Sequence, residues 1–154
     1  MSKSFDFSGG RYIVDTNLFL KWMLPSEKSS LSSRQRSCLS SLFFTSKQIY
    51  VTPYVLAEVS NLLKIRGGID LEHLRSKKKS DFSILSSALE EYVSKDKILG
   101  HKNISFGVTD ISLLELSKQK GFSILTDEKP LYNLCLSEDV SAVSFDSLVY
   151  QNIT

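Results

Sequence analysis

Four acidic residues, Asp15, Glu58, Asp110 and Asp127, sit where the flanking pattern is apolar. Asp15 closes the run Arg11-Tyr-Ile-Val-Asp15-Thr16-Asn17, where a short β-branched and aromatic stretch gives way to a helical pattern. Asp127 repeats the arrangement at the end of Phe122-Ser-Ile-Leu125-Thr126-Asp127. Glu58 lies three residues after Val55 and four before Leu62, so it shares their stripe on a helix. Asp110 has leucines at both i+3 and i+4 and borders a buried face. Carboxylates brought together push one another towards protonation unless a cation neutralises them. With oxygen ligands and no His or Cys at these positions, the expected ion is Mg²⁺ or Mn²⁺ rather than Zn²⁺. The chemistry that goes with such an ion is contact with phosphate oxygens, activation of water and stabilisation of a leaving oxyanion. The alternative reading of Asp15, taken alone, is a helix N-cap.

The elements that must position these acids follow from the pattern. Arg11 to Val14 reads as a first strand behind Gly9-Gly10, and Leu18, Leu20, Trp22 and Met23 then suit a helix packed on a sheet. Pro25 to Ser33 is a loop, followed by a helix from Ser33 to Thr45 with Cys38, Leu39, Leu42 and Phe43 inward. Gln48 to Val51 is β-prone, and Thr52-Pro53 supplies a capping hydroxyl and a proline at the first helical position. That helix, which carries Glu58, runs to Gly67-Gly68. A short helix covers Ile69 to Arg75, and a longer one is expected from Ile84 through Leu89 to Val93. Lys95 to Ser105 fits a loop or a short helix. Thr109-Asp110 opens a leucine-rich helix stopped by Gly121. Strand, helix, strand and closing helix then complete the chain, from Phe122 onwards. Strands alternating with helices imply an α/β fold with a mostly parallel sheet. The rim at the carboxyl ends of such strands is where ligands bind.

The 154 residues suit a single domain over 1–154, and the 42% hydrophobic fraction is ordinary for a globular chain. A net charge of +2 permits a polyanionic substrate without requiring one. Cys38 and Cys135 match no metal-ligand or redox spacing and read as buried reduced thiols. No apolar run reaches membrane-spanning length, and the first residues lack the apolar core of a signal peptide. The expected setting is the cytoplasm, with no membrane partner. His73 and His101 neighbour no acid-bearing strand end and are expected at the surface.

Taken together, Val14-Asp15-Thr16-Asn17, Glu58 in the helix opened by Thr52-Pro53, Thr109-Asp110 before a leucine-rich helix, and Leu125-Thr126-Asp127 after the next strand resemble the PIN domain. This compact α/β ribonuclease fold includes the VapC-type toxins of toxin–antitoxin pairs. The order and spacing match over nearly the whole chain. The resemblance implies a three-layer α/β/α fold and metal-dependent cleavage of single-stranded or loop RNA. It also implies that Asp15, Glu58, Asp110 and Asp127 hold one or two Mg²⁺ or Mn²⁺ ions, with Thr16, Asn17 and Thr126 shaping the site. An antitoxin partner and a homodimer belong to the same expectation. The stretches Pro25 to Ser33 and Lys77 to Ser105 follow no family pattern, so they leave the choice of RNA open.

Two other readings stand beside this one. A phosphoaspartyl phosphatase or receiver-like domain would use Asp15 as nucleophile or acidic-pocket member. The phosphatase expects a second Asp where Asn17 stands, and the receiver an acidic pair that the first strand end lacks. A non-catalytic module would keep the fold for binding RNA or a protein, with all four acids dispensable.

Overall fold

The computed structural model describes residues 10–45 and 48–151. Five strands form one parallel sheet: β1 (Arg11–Val14), β2 (Gln48–Val51), β3 (Leu89–Glu90), β4 (Ser123–Thr126) and β5 (Ala142–Ser144). Their order is β3-β2-β1-β4-β5. The chain builds outwards from β1 to β3, then returns across the sheet to place β4 on the other side of β1. The strand order therefore reverses between β1 and β4, the point where open α/β sheets leave a crevice. The helices α1 (Thr16–Met23), α2 (Ser33–Thr45), α3 (Pro53–Leu62), α4 (Leu71–Lys77), α5 (Lys79–Ser87), α6 (Lys95–Leu99), α7 (Val108–Lys120), α8 (Lys129–Ser137) and α9 (Phe145–Gln151) flank the sheet in a three-layer α/β/α arrangement.

The helices begin and end for local reasons. Thr52 caps α3 by accepting the Val55 N–H at 3.2 Å, with Pro53 as the first helical residue. A π-helical stretch, Leu63–Gly67, carries this helix on to Gly68. Gly121, in the left-handed region at φ 74°, stops α7 and turns the chain directly into β4. The helical pattern through Leu89 and Val93 is not followed: α5 ends at Ser87, Ala88 is extended, and Leu89–Glu90 pairs with Tyr50 and Val51 as β3. Covering the open edge of β2 outweighs two further helical turns whose Leu89 and Tyr92 are exposed in any case.

One continuous apolar core joins both sides of the sheet, including Ile13 and Val14 of β1, Leu18 and Phe19 of α1, Leu113 and Leu114 of α7, and Ile124 and Leu125 of β4. Each such fully buried side chain is worth about 1.5–3 kcal/mol of transfer free energy. Cys38 and Cys135 are buried free thiols, and burial pushes each up to about 12. Among the described residues no helix is long and apolar enough to cross a membrane.

His73 is exposed, but His101 is not at the surface as expected. Its side chain is 6% exposed, with Nε2 3.5 Å from Glu115 Oε1 and 3.4 Å from Glu138 Oε2. Its Nδ1 accepts the Asn103 N–H at 3.0 Å. The imidazole ties the loop before α7 to α7 itself and to the end of α8. These partners lie far away in sequence, so no local pattern announces them.

Candidate metal centre

The centre is set by the register of β1 on β4. Val14 pairs with Leu125, and the Asp15 N–H donates to the Leu125 carbonyl at 2.9 Å, so Asp15 stands level with Thr126. Neighbouring residues on parallel strands point to the same face of the sheet. Thr126 Oγ1 accordingly donates to Asp15 Oδ2 at 2.8 Å, fully buried. Asp15 is at the N-cap of α1, yet its side chain makes no capping bond. Its carboxylate is committed across the sheet instead.

Beyond Thr126 the alternation of strand residues decides which acid joins Asp15. Asp127 falls on the opposite face, where Oδ2 is held by Lys21 Nζ and Oδ1 is buried without a hydrogen-bond partner. Glu128, two residues after Thr126 and still extended at φ −94°, ψ 115°, returns to the face of Asp15. Its N–H donates to Thr126 Oγ1 at 3.0 Å, and its Oε1 accepts from Asn17 Nδ2. Oxygens of Asp15, Asp110 and Glu128 lie within 4.8 Å of one another. Asp127, expected as a ligand, is thus outside this close set, and Glu128 stands in it. The signal was present in the sequence: period two from Thr126 leads to Glu128 and past Asp127.

Asp110 reaches the cleft from the first turn of α7. Gly107, at φ 105°, makes the turn from Ile104–Phe106 into that helix, a conformation that favours glycine. Glu58 approaches from α3 and is held by the Thr109 hydroxyl, which donates to its Oε2 at 2.8 Å. It lines the same cleft of about 200 Å³ as Asp15, Asn17, Asp110 and Glu128 but lies outside the close triad. Of the remaining expected residues, Thr126 and Asn17 position Asp15 and Glu128. Thr16 is buried at the start of α1, and its hydroxyl has no partner among the described residues.

The electrostatics of this set are unfavourable as it stands. Asp15 is pushed up to about 8, first by burial and then by the charge of Glu128, with Asp110 and Asp127 adding to it and the Thr126 hydrogen bond opposing. Asp110 is pushed up to about 7 by burial and by Glu128 and Glu58. Glu128 is raised too, by burial and by Asp127 and Glu58, while Lys21 and Arg66 pull it down. Near neutral pH the cleft therefore holds protons that a cation would displace. An all-oxygen set, convergent and short of positive charge, fits a hard divalent ion such as Mg²⁺ or Mn²⁺.

No protein-family model matches the chain, and no curated protein matches it. Among solved structures, the crystal structure of PAE2754 from Pyrobaculum aerophilum is similar, with a TM-score of 0.56 over 93% of this chain and 95% of that one. The two sequences are 14% identical over the match, so the likeness is one of fold.

Proposed function

We propose that this chain is a metal-dependent endoribonuclease that hydrolyses phosphodiester bonds in RNA, with Mg²⁺ or Mn²⁺ held by Asp15, Asp110 and Glu128. The observation that carries the reading is the convergence of these three carboxylates within 4.8 Å at the reversal point of the sheet. The resemblance of the acid-bearing segments to the PIN domain supports RNA as the substrate. It extends the proposal to a cytoplasmic toxin with an inhibitory antitoxin partner, and to a homodimer.

When bound, such an ion polarises a phosphate oxygen and makes water a stronger acid. The chain's own contribution is placement. Thr126 fixes Asp15, Asn17 fixes Glu128, and the Lys21–Asp127 pair holds the end of β4 against α1. Glu58, tethered by Thr109, orients the water that attacks phosphorus. Water adds across the P–O bond, leaving a phosphomonoester on one fragment and a hydroxyl on the other. The phosphoaspartyl alternative lacks the second Asp that a phosphatase expects two residues on, where Asn17 stands and donates to Glu128.

Purified protein should cleave RNA with added Mg²⁺ or Mn²⁺ and stop in excess EDTA. Calorimetry should show Mn²⁺ binding that Asp110→Asn abolishes. Cleavage undiminished in EDTA would sink the metal-nuclease reading, and Mn²⁺ binding without cleavage of any RNA would favour a non-catalytic module.

A further inference from the structure

We propose that the surface beside the carboxylates is a nucleobase shelf. On it Phe106 and its apolar neighbours hold one unpaired base of the strand whose phosphate the acid cleft receives; this rests on the nuclease reading above. Phe106 lines the acid cleft and is 39% exposed. Val108, equally exposed, lines both that cleft and an adjoining apolar pocket of about 160 Å³ formed with Tyr54, Lys95, Ile98 and Leu99. Leu99 is 63% exposed. The acid cleft and the apolar pocket are therefore neighbours that share Val108 in their walls.

This adjacency and the lysine in the pocket wall choose the occupant. A nucleotide is an anion joined to a flat apolar ring. Here a cleft suited to a cation-bridged phosphate adjoins a wall suited to the ring, and Lys95 in that wall adds a positive charge that attracts the phosphate backbone. Stacking a base on an aromatic side chain is tolerant of sequence, because every base has a π-face. In a duplex those faces are already covered by neighbouring bases, so the shelf selects single-stranded or loop segments. Gly107 serves the arrangement directly: its positive φ lets Phe106 and Asp110 line one cleft from opposite sides of a single turn.

The test measures binding of a short fluorescein-labelled single-stranded RNA of mixed sequence, with Ca²⁺ in place of Mg²⁺ to slow cleavage. Phe106→Ala should weaken binding by about tenfold or more, and Phe106→Tyr should restore it. Quenching of a 2-aminopurine base in the same RNA should be seen with the parent and lost with Phe106→Ala. A fully paired RNA should show no dependence on the residue at 106. Thermal melts check that Phe106→Ala folds, and Leu99→Ser probes the same wall independently. If both variants bind the single strand like the parent while Asp110→Asn abolishes cleavage, the shelf is wrong and the nuclease reading stands. If the parent neither binds nor cleaves RNA, the nuclease reading fails and takes the shelf with it. If the substitutions leave RNA affinity unchanged but convert a dimer to a monomer in light scattering, the wall is a face between copies and the proposal is overturned.

Discussion

At the end of β4 two adjacent acids face opposite ways, and substitution should separate them sharply. Glu128→Gln keeps the size and the Asn17 contact but removes a charge from the triad. It should weaken Mn²⁺ binding by about tenfold or more, in the range found when groups supporting a metal site are altered, and RNA cleavage should fall with it. Asp127→Asn leaves the triad intact and should bind Mn²⁺ close to the parent's affinity, measured in the same calorimeter. Equal losses in the two variants would show that Asp127 ligates after all. The convergence of Asp15 and Asp110 was legible from a strand end and a helix start flanked by apolar residues. The exchange of Asp127 for Glu128 was legible only in part: period two from Thr126 leads to Glu128, but that Thr126 faces Asp15 depends on the register of β1 against β4. A slip of one residue would have reversed the choice.

Helices α3 and α7 are joined at their N-terminal ends by a string of hydrogen bonds that also governs Glu58. Thr52 Oγ1 lies 3.3 Å from Ser112 Oγ, Ser112 donates to the Thr109 carbonyl at 2.6 Å, and the Thr109 hydroxyl holds Glu58. Thr52→Ala removes both the cap of α3 and the link to Ser112. It should cost about 0.5–2 kcal/mol, lowering Tm by about 2–4 °C for each kcal/mol in a chain of this size. Mn²⁺ affinity should stay near the parent's, since the triad is untouched; an unchanged melt would mean the cap carries no weight. The start of α3 could be read directly from Thr52-Pro53, and the stop of α7 from Gly121. The edge strand β3 could not, because Leu89 and Glu90 continue a helical period and become a strand only through the open edge of β2. His101 was hidden for the same reason, its partners being Glu115 within α7 and Glu138 just past the end of α8.

For the molecule as a whole, the acid cleft makes stability depend on pH in an unusual direction. Asp15 titrates near 3.8 in the unfolded chain and at about 8 in the folded one, so the folded state binds the proton more tightly across that window. The stabilisation is complete below about pH 4 and is lost as pH rises towards 8. Asp110, raised to about 7, acts in the same sense over the lower part of the range. Chemical denaturation of metal-free protein should therefore show stability falling from about pH 5 to pH 8. Asp15→Asn should flatten that slope, and Mn²⁺ should recover more stability at the alkaline end than at the acid end. A metal-free protein that gains stability over the same interval would mean that the carboxylates are ionised and solvated, and that the cleft is not strained.

The register that makes the centre also dates its appearance in the life of each molecule. Asp15 and Thr126 are 111 positions apart, and Glu128 lies beyond both. Until the ribosome has passed Thr126, the emerging polypeptide carries Asp15 with nothing opposite it, because β4 has not been synthesised. Closing so long a loop is slow, and parallel strand pairing between distant segments is among the later events of folding. On the nuclease reading proposed above, the emerging chain cannot cleave RNA before Glu128 has been made and β4 has paired with β1.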